Sequence, residues 1–313
     1  MIAARSRGEA EDRRMRILAI GLMCGAMVCF TGLDTCAKWL SLGLPALQIV
    51  WARYVAAALI ALAASRPLSR PSALRSKRPG LQLLRSTALL GSTMANVLAL
   101  RQLQLSETAT ISFLTPIFVA LLAGPVLGER VGAERMAAIA VGFLGVAIAT
   151  RPGTAAFQPI VLVAVAGVVC NSGYVLATRR LAAEDSPQTT LAWTQIAGIV
   201  FLTPLLPWAW RHPTTAEVWL VMAAMGVCGA AGHALLIVAH RYAPAPALTP
   251  FSYTQLIWMI VSGVLVFGDW PSAATLVGAS LVVACGAYLA LRERRGRRPR
   301  NLQRSTAIDK ASP

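Results

Sequence analysis

The stretch SETATISFLTPIFVALLAGPVLGE, residues 106–129, decides how the rest of the chain is read. Residues 108–128 carry no charge, and a helix of that length crosses the ~30 Å of a bilayer's hydrocarbon. Polar side chains fall at Thr108, Ser112 and Thr115, spacings of four and three that place them on one helical face. Pro116 has no amide proton, so the Ser112 carbonyl is left without its helical donor on that face. In hydrocarbon such a carbonyl has to be buried in protein or turned to a watery cavity. We read a cavity-lining helix; a kinked packing helix is the plainer alternative.

The stretch has an echo 140 residues later, LTPFSYTQLIWMIVSGVLVFGD at 248–269. Without gaps, Gly128-Glu129 meets Gly268-Asp269, Ser112 meets Ser252, and Ala99 and Arg101 meet Ala239 and Arg241. A second match, Val28-Cys29-Phe30-Thr31-Gly32 against Val169-Cys170-Asn171-Ser172-Gly173, has an offset of 141 and continues to Lys38/Arg179 and Leu40/Leu181. Two matches at nearly one offset imply a chain of two similar halves.

At 56% hydrophobic and 13% charged residues, the 313-residue chain is too apolar for a soluble protein. Its net charge of +16 sits in tails and loops without interleaved aromatics, a pattern of membrane orientation rather than nucleic-acid binding. The six cysteines lie in apolar runs with no CxxC and read as small buried hydrophobes, neither disulfides nor metal ligands. No GxxxxGK[ST] loop is present, which argues against direct ATP coupling. No cofactor is expected, and the expected partners are a small-molecule substrate and membrane lipids, with no nucleic acid.

Residues 1–16 form a charged tail, and Met15 is an alternative start. Apolar runs follow at 17–40, 46–64, 83–100, 108–128 and 135–150. After the break at Arg151-Pro152-Gly153 come 159–178, 189–208, 218–240, 247–267 and 273–291, before a basic tail at 292–313. The expected fold is therefore all-α, with ten transmembrane helices in two five-helix repeats, 17–150 and 158–291. Five is odd, so the second repeat enters from the other side and the repeats are inverted. With the N-terminus inside, cytoplasmic segments hold 24 of the 29 Lys and Arg, the opposite side holds four, and Arg53 lies within a span. That bias places both termini in the cytoplasm.

Paired five-helix halves, each with Gly-Glu or Gly-Asp closing its fourth helix, resemble the drug/metabolite transporter superfamily. LTPIFVALLAGPVLGERVGAERMAAIAVGFLGVAIATRPG, residues 114–153, is similar to its EamA-type branch. The resemblance runs from Met15 to Leu291; the second half departs from it at Asp269 and at Leu256, where the first half has Pro116. It implies a secondary carrier for small organic metabolites. Similarity to the pattern LxxAETxxxxFxTPxFVALLAGPxLGE points to a subgroup that includes riboflavin importers.

Ionisable groups inside a span are candidate site residues, because burying them in lipid is costly. Asp34 and Arg53 lie six to seven residues from the same membrane face, hence ~9–11 Å deep, and are expected to pair. A pair that merely fixes the hairpin is the plainer alternative. Lys38 reads as snorkelling to the interface. The neutral candidates are Asn96 on span three, Thr115 on span four, Asn171 and Tyr174 on span six, and Gln195 on span seven. They continue with His233 on span eight, and with Tyr253 and Gln255, the span-nine counterparts of Phe113 and Thr115. Aromatic and amide groups around one cavity suit a neutral, planar, hydrogen-bonding solute. Glu129 and Asp269 read as helix caps, and Gly142, Gly145 and Gly278 as packing glycines.

The expected protein is thus a non-enzymatic carrier of the bacterial-type inner membrane working by alternating access, with riboflavin uptake as the leading substrate. Export of amino acids or drug-like metabolites is the alternative. A membrane-embedded enzyme is a remote one, since no HExxH and no clustered carboxylates occur. The charge bias makes the topology testable. Compartment reporters fused after Gly153 and after Arg292 should give opposite signals, and identical signals would rule out inversion.

Overall fold

A computed structural model of the protein describes residues 2–65, 75–127, 133–182, 184–243 and 245–296. Every regular element among them is helical: α1 (Ile2–Ser41), α2 (Ala46–Ser65), α3 (Pro79–Leu100), α4 (Leu105–Ser112), α5 (Thr115–Leu127) and α6 (Ala133–Thr150) come first. Then follow α7 (Ile160–Leu181), α8 (Pro187–Leu202), a 3-10 turn (Thr203–Leu205), α9 (Leu206–Ala209) and α10 (Ala216–Tyr242). The chain continues through α11 (Ala245–Ser252), α12 (Thr254–Ser262), a π-turn (Gly263–Phe267) and α13 (Ala273–Gly296). Residues 66–74 with Arg66 and Arg70, the Gly128-Glu129-Arg130 segment, and the basic tail from 297 onward lie outside the described residues.

Among the described residues, seven helices are long and apolar enough to cross a membrane, and the apolar helices Ala46–Ile60, Met136–Thr150 and Ala273–Leu289 are shorter. Each apolar run of the sequence falls on one of these. Large apolar side chains stand outward along them, with Leu265 at 78% and Leu220 at 69% exposure, as lipid contact demands and aqueous solubility forbids. At its start, α1 differs from the expected tail: the helix already begins at Ile2. The Ala-, Arg- and Glu-rich lead-in has the propensity to carry it.

The opening stretch is two helices rather than one. Pro116 lies in the first turn of α5 and cannot bond back to Ser112. The chain instead makes a tight turn, with the Leu114 amide on Ile111 O and the Phe118 amide on Leu114 O. Its echo breaks as well, although position 256 is leucine. There α11 contains Pro250 and ends at Ser252, and the hydroxyls of Ser252 and Thr254 bond the carbonyls of Thr249 and Phe251 at 2.6 and 2.7 Å. These hydroxyls supply donors where the helical ladder fails. The residues at the two breaks, Phe113 and Tyr253, pack edge-to-face with ring centroids 4.9 Å apart.

The halves interleave: α1 packs along α10, α3 along α7, and α6 along α13. The α6–α13 crossing is a backbone contact. A Cβ on Gly278 falls 2.2 Å from Gly145 O, and one on Gly145 falls 2.8 Å from Gly278 O, so the packing role read for these glycines fits. At Gly286 a Cβ falls 1.7 Å from the Tyr253 hydroxyl, so that glycine makes room for the ring at the α11–α12 break. Gly278→Leu is expected to destabilise the protein by about 2–3 kcal/mol through overpacking. It should lower the thermal unfolding midpoint in detergent, whereas Gly21→Ala, with nothing within 4 Å, should leave it unchanged.

Candidate solute-binding site

Asp34 on α1 accepts a hydrogen bond from Asn96 Nδ2 on α3 at 3.0 Å. The expected Asp34–Arg53 ion pair does not form. Among the described residues the ion pairs within 4 Å are Lys38–Asp269 and Arg78–Glu184. α3 brings the short Asn96 amide against the carboxylate, and no carboxylate lies within 4 Å of Arg53 among the described residues. Asp34, Arg53 and Asn96 are half-buried, and His233 on α10 is open to contact, with its ring edge-on to Phe30 at 5.0 Å. Of these four, Asp34 and Asn96 are in direct contact.

A second group joins the halves beside the first break. Asn171 Nδ2 on α7 donates to Thr115 Oγ1 at 3.3 Å, and Ser172 Oγ reaches Thr115 O at 3.4 Å. This tie uses the turn made by Pro116, since it engages the first residue after the interruption. Tyr253 sits across from it against Phe113, its hydroxyl buried without a hydrogen-bond partner. Gln255 is half-buried, and Gln195 on α8 buries an unpartnered Oε1. The structure therefore does not gather all ten candidates into one contact network.

Tyr174 belongs to a cluster that the sequence reading missed. Arg85, one of the 24 basic residues assigned to the cytoplasmic side by charge, lies inside α3 at 5% exposure. Its Nε donates to Thr178 Oγ1 at 2.7 Å, and Nη1 donates to Thr194 Oγ1 at 2.6 Å and Thr190 O at 3.2 Å. Nη2 donates to Tyr174 Oη at 3.1 Å, with the guanidinium 4.5 Å from the Tyr174 ring centre. Every one of these acceptors is neutral. The available signal was Arg85's position two residues into an apolar run, with Thr178, Thr190 and Thr194 across the repeat boundary. Beside this cluster, Asp185 accepts from Ser76 Oγ, the Lys77 amide and Gln82 Nε2 at 2.5, 2.9 and 2.8 Å. Burial pushes its carboxyl up, but these donors and Lys77 outweigh that and hold it below the usual carboxylate range. Its contribution to stability is thus present above the ordinary carboxylate pKa and lost as the pH falls through the depressed one.

Two further readings change. Lys38 does not snorkel, and Asp269 does not cap a following helix. The Lys38 ammonium is buried against the Asp269 carboxylate at 2.6 Å, the Leu103 carbonyl at 2.9 Å and the Phe267 ring at 4.9 Å. An ammonium held under the bundle end gains more from a carboxylate than from a stretched route to water. Glu129, the counterpart of Asp269, lies outside the described residues.

A crystal structure 20% identical in sequence matches the fold with a TM-score of 0.59, covering 92% of this chain and 99% of its own. Among curated proteins, the riboflavin transporter of Vibrio cholerae is 26% identical over 90% of this chain and 95% of its own length. The riboflavin transporter of Rhizobium johnstonii is 28% identical over 88% and 91%. The S-adenosylmethionine uptake transporter of Rickettsia bellii is 23% identical over 89% and 95%. The pseudopaline exporter CntI of Pseudomonas aeruginosa is 23% identical over 86% and 95%. All are transporters by name rather than enzymes, and residues 17–151 and 158–292 each match one family profile. This multi-pass membrane chain therefore belongs to the EamA-like transporter family.

Proposed function

We propose that the protein is a secondary carrier that moves a small organic metabolite across a bacterial inner membrane by alternating access. Its ten helices would form two inverted five-helix repeats, with both termini cytoplasmic, rocking about a site between them. The observation that carries this reading is the reciprocal packing of the halves around their polar residues. If α1 corresponds to α7 and α3 to α10, then α1 on α10 and α7 on α3 are the same contact made twice. Phe113 and Tyr253, equivalent in the two halves, would lie at the axis relating them. A repeat relation of this kind lets one half take up the conformation of the other, which exchanges the open end.

Riboflavin uptake is the leading substrate assignment. It rests on the relatives named riboflavin transporters and on the amide and aromatic groups of Asn96, Asn171, Tyr253 and Gln255, which suit a planar hydrogen-bonding ring system. The second reading, export of amino acids or drug-like metabolites, is favoured by Arg53. That cation has no carboxylate within 4 Å among the described residues and suits a solute bearing an anionic group. Purified protein in proteoliposomes, with and without a pH gradient, should accumulate riboflavin over amino acids. Saturable amino-acid movement with no riboflavin flux would select the second reading, and no solute-dependent flux from a wide panel would refute a carrier.

Two sets of variants locate the site. Thr115→Leu and Gln255→Leu should each lower transport about tenfold, the loss of about one hydrogen bond to the solute, with the folded amount unchanged. Wild-type kinetics in both would move the site elsewhere. Asp34→Asn combined with Arg53→Gln should insert normally, since Val175 and Gln195 stand at the equivalent positions, but should not transport. A fully active double variant would reduce both charges to a structural role.

A further inference from the structure

On the carrier reading above, we propose that Lys38 and Asp269 form a releasable gate over the Asp34–Asn96 site. Lys38 is one turn beyond Asp34 on α1, so it stands on the same face and about 6 Å nearer the end of the helix. Asn96 likewise lies one turn before the end of α3. A solute leaving Asp34 and Asn96 toward that end meets the Lys38 ammonium first. The ammonium is fixed there by Asp269 Oδ2 at 2.6 Å and Leu103 O at 2.9 Å, and it faces the Phe267 ring. Those partners come from the link after α12 and the link after α3, so one charged group closes the junction of α1, α3 and α12.

The chemistry of the two ends differs in a way that favours release here. The side chains of Lys38 and Asp269 retain 10% and 26% exposure, so the carboxylate is the more open of the two ions and the pair is not sealed on that side. At the other end Arg85 is bound only by neutral acceptors of α7 and α8, and separation strips it of hydrogen bonds without freeing any carboxylate. The backbone that carries Asp269 is also built to turn. It follows the π-turn Gly263–Phe267, and Gly268 holds φ +68°, a left-handed conformation that glycine adopts without strain. The Asp269 amide bonds back to Gly263 O at 3.0 Å, so the turn and the carboxylate are tied as one unit with a glycine at each end.

Hydrogen–deuterium exchange of the full chain in lipid nanodiscs tests the gate without reference to any solute. Asp269→Asn and Lys38→Met should each speed exchange at 100–106 and 263–270 about tenfold, as the parted state gains population. Exchange at 76–90, around Arg85, should not change. The exchanged pair Lys38→Glu with Asp269→Lys should return exchange most of the way to wild type. Unchanged exchange in both single variants would overturn the gate. So would an exchanged pair as fast as the singles, or equal loosening at 76–90, which would mark a general brace. Riboflavin uptake by the wild-type protein is measured separately: its absence would count against the carrier reading while leaving the exchange result to judge the gate.

Discussion

A polar group inside hydrocarbon has no water to turn to, and the architecture follows from where such groups are put. Pro116 and Pro250 remove backbone donors within apolar runs; both runs are broken, at Phe113–Leu114 and at Tyr253, and the breaks meet. Phe113 and Tyr253 seal that meeting point with an aromatic contact. Asn171 and Ser172 reach the chain there through Thr115. The breaks thereby become one place where the two halves touch through polar groups.

Charges obey the same constraint with different solutions at different depths. Asp34 shares its site with the Asn96 amide, Lys38 is neutralised by Asp269, and Arg85 is dispersed over hydroxyls, a carbonyl and a tyrosine ring. Each solution joins separate helices, and those of Lys38 and Arg85 join the two halves. The contacts that satisfy buried charge are therefore among those that tie the two halves together.

Much of the fold was legible because apolar runs, prolines and basic loops leave strong one-dimensional traces. The helical class and the two similar halves follow from such traces, whereas the run at 108–128, read as one helix, is two. The break before Thr254 was less visible: it depends on Pro250 together with hydroxyl back-bonding, and no proline stands opposite Pro116. Site partners were harder still, since they depend on which long side chain reaches which neighbour. Arg53 and Asp34 match in depth yet do not pair, because depth says nothing of the azimuth at which α3 inserts Asn96. Lys38 and Asp269 are 231 residues apart, and only their alignment with the oppositely placed Arg179 and Glu129 across the repeat carried a hint. Arg85 sat at a run boundary, where the choice between loop and span turns on tertiary acceptors from α7 and α8.

The central claim is that the two halves move against each other around one site. Pulsed electron–electron resonance on a cysteine-free background tests it, with spin labels at 104 and 270 for one end and at 77 and 184 for the other. Gln104 bonds the Trp270 carbonyl, and positions 77 and 184 neighbour each other through the Lys77–Asp185 and Arg78–Glu184 contacts. Adding the transported solute should produce longer distances at one end while the other stays short, with the opposite pattern when the gradient is reversed. Two distance distributions that remain unchanged by solute and gradient would contradict alternating access.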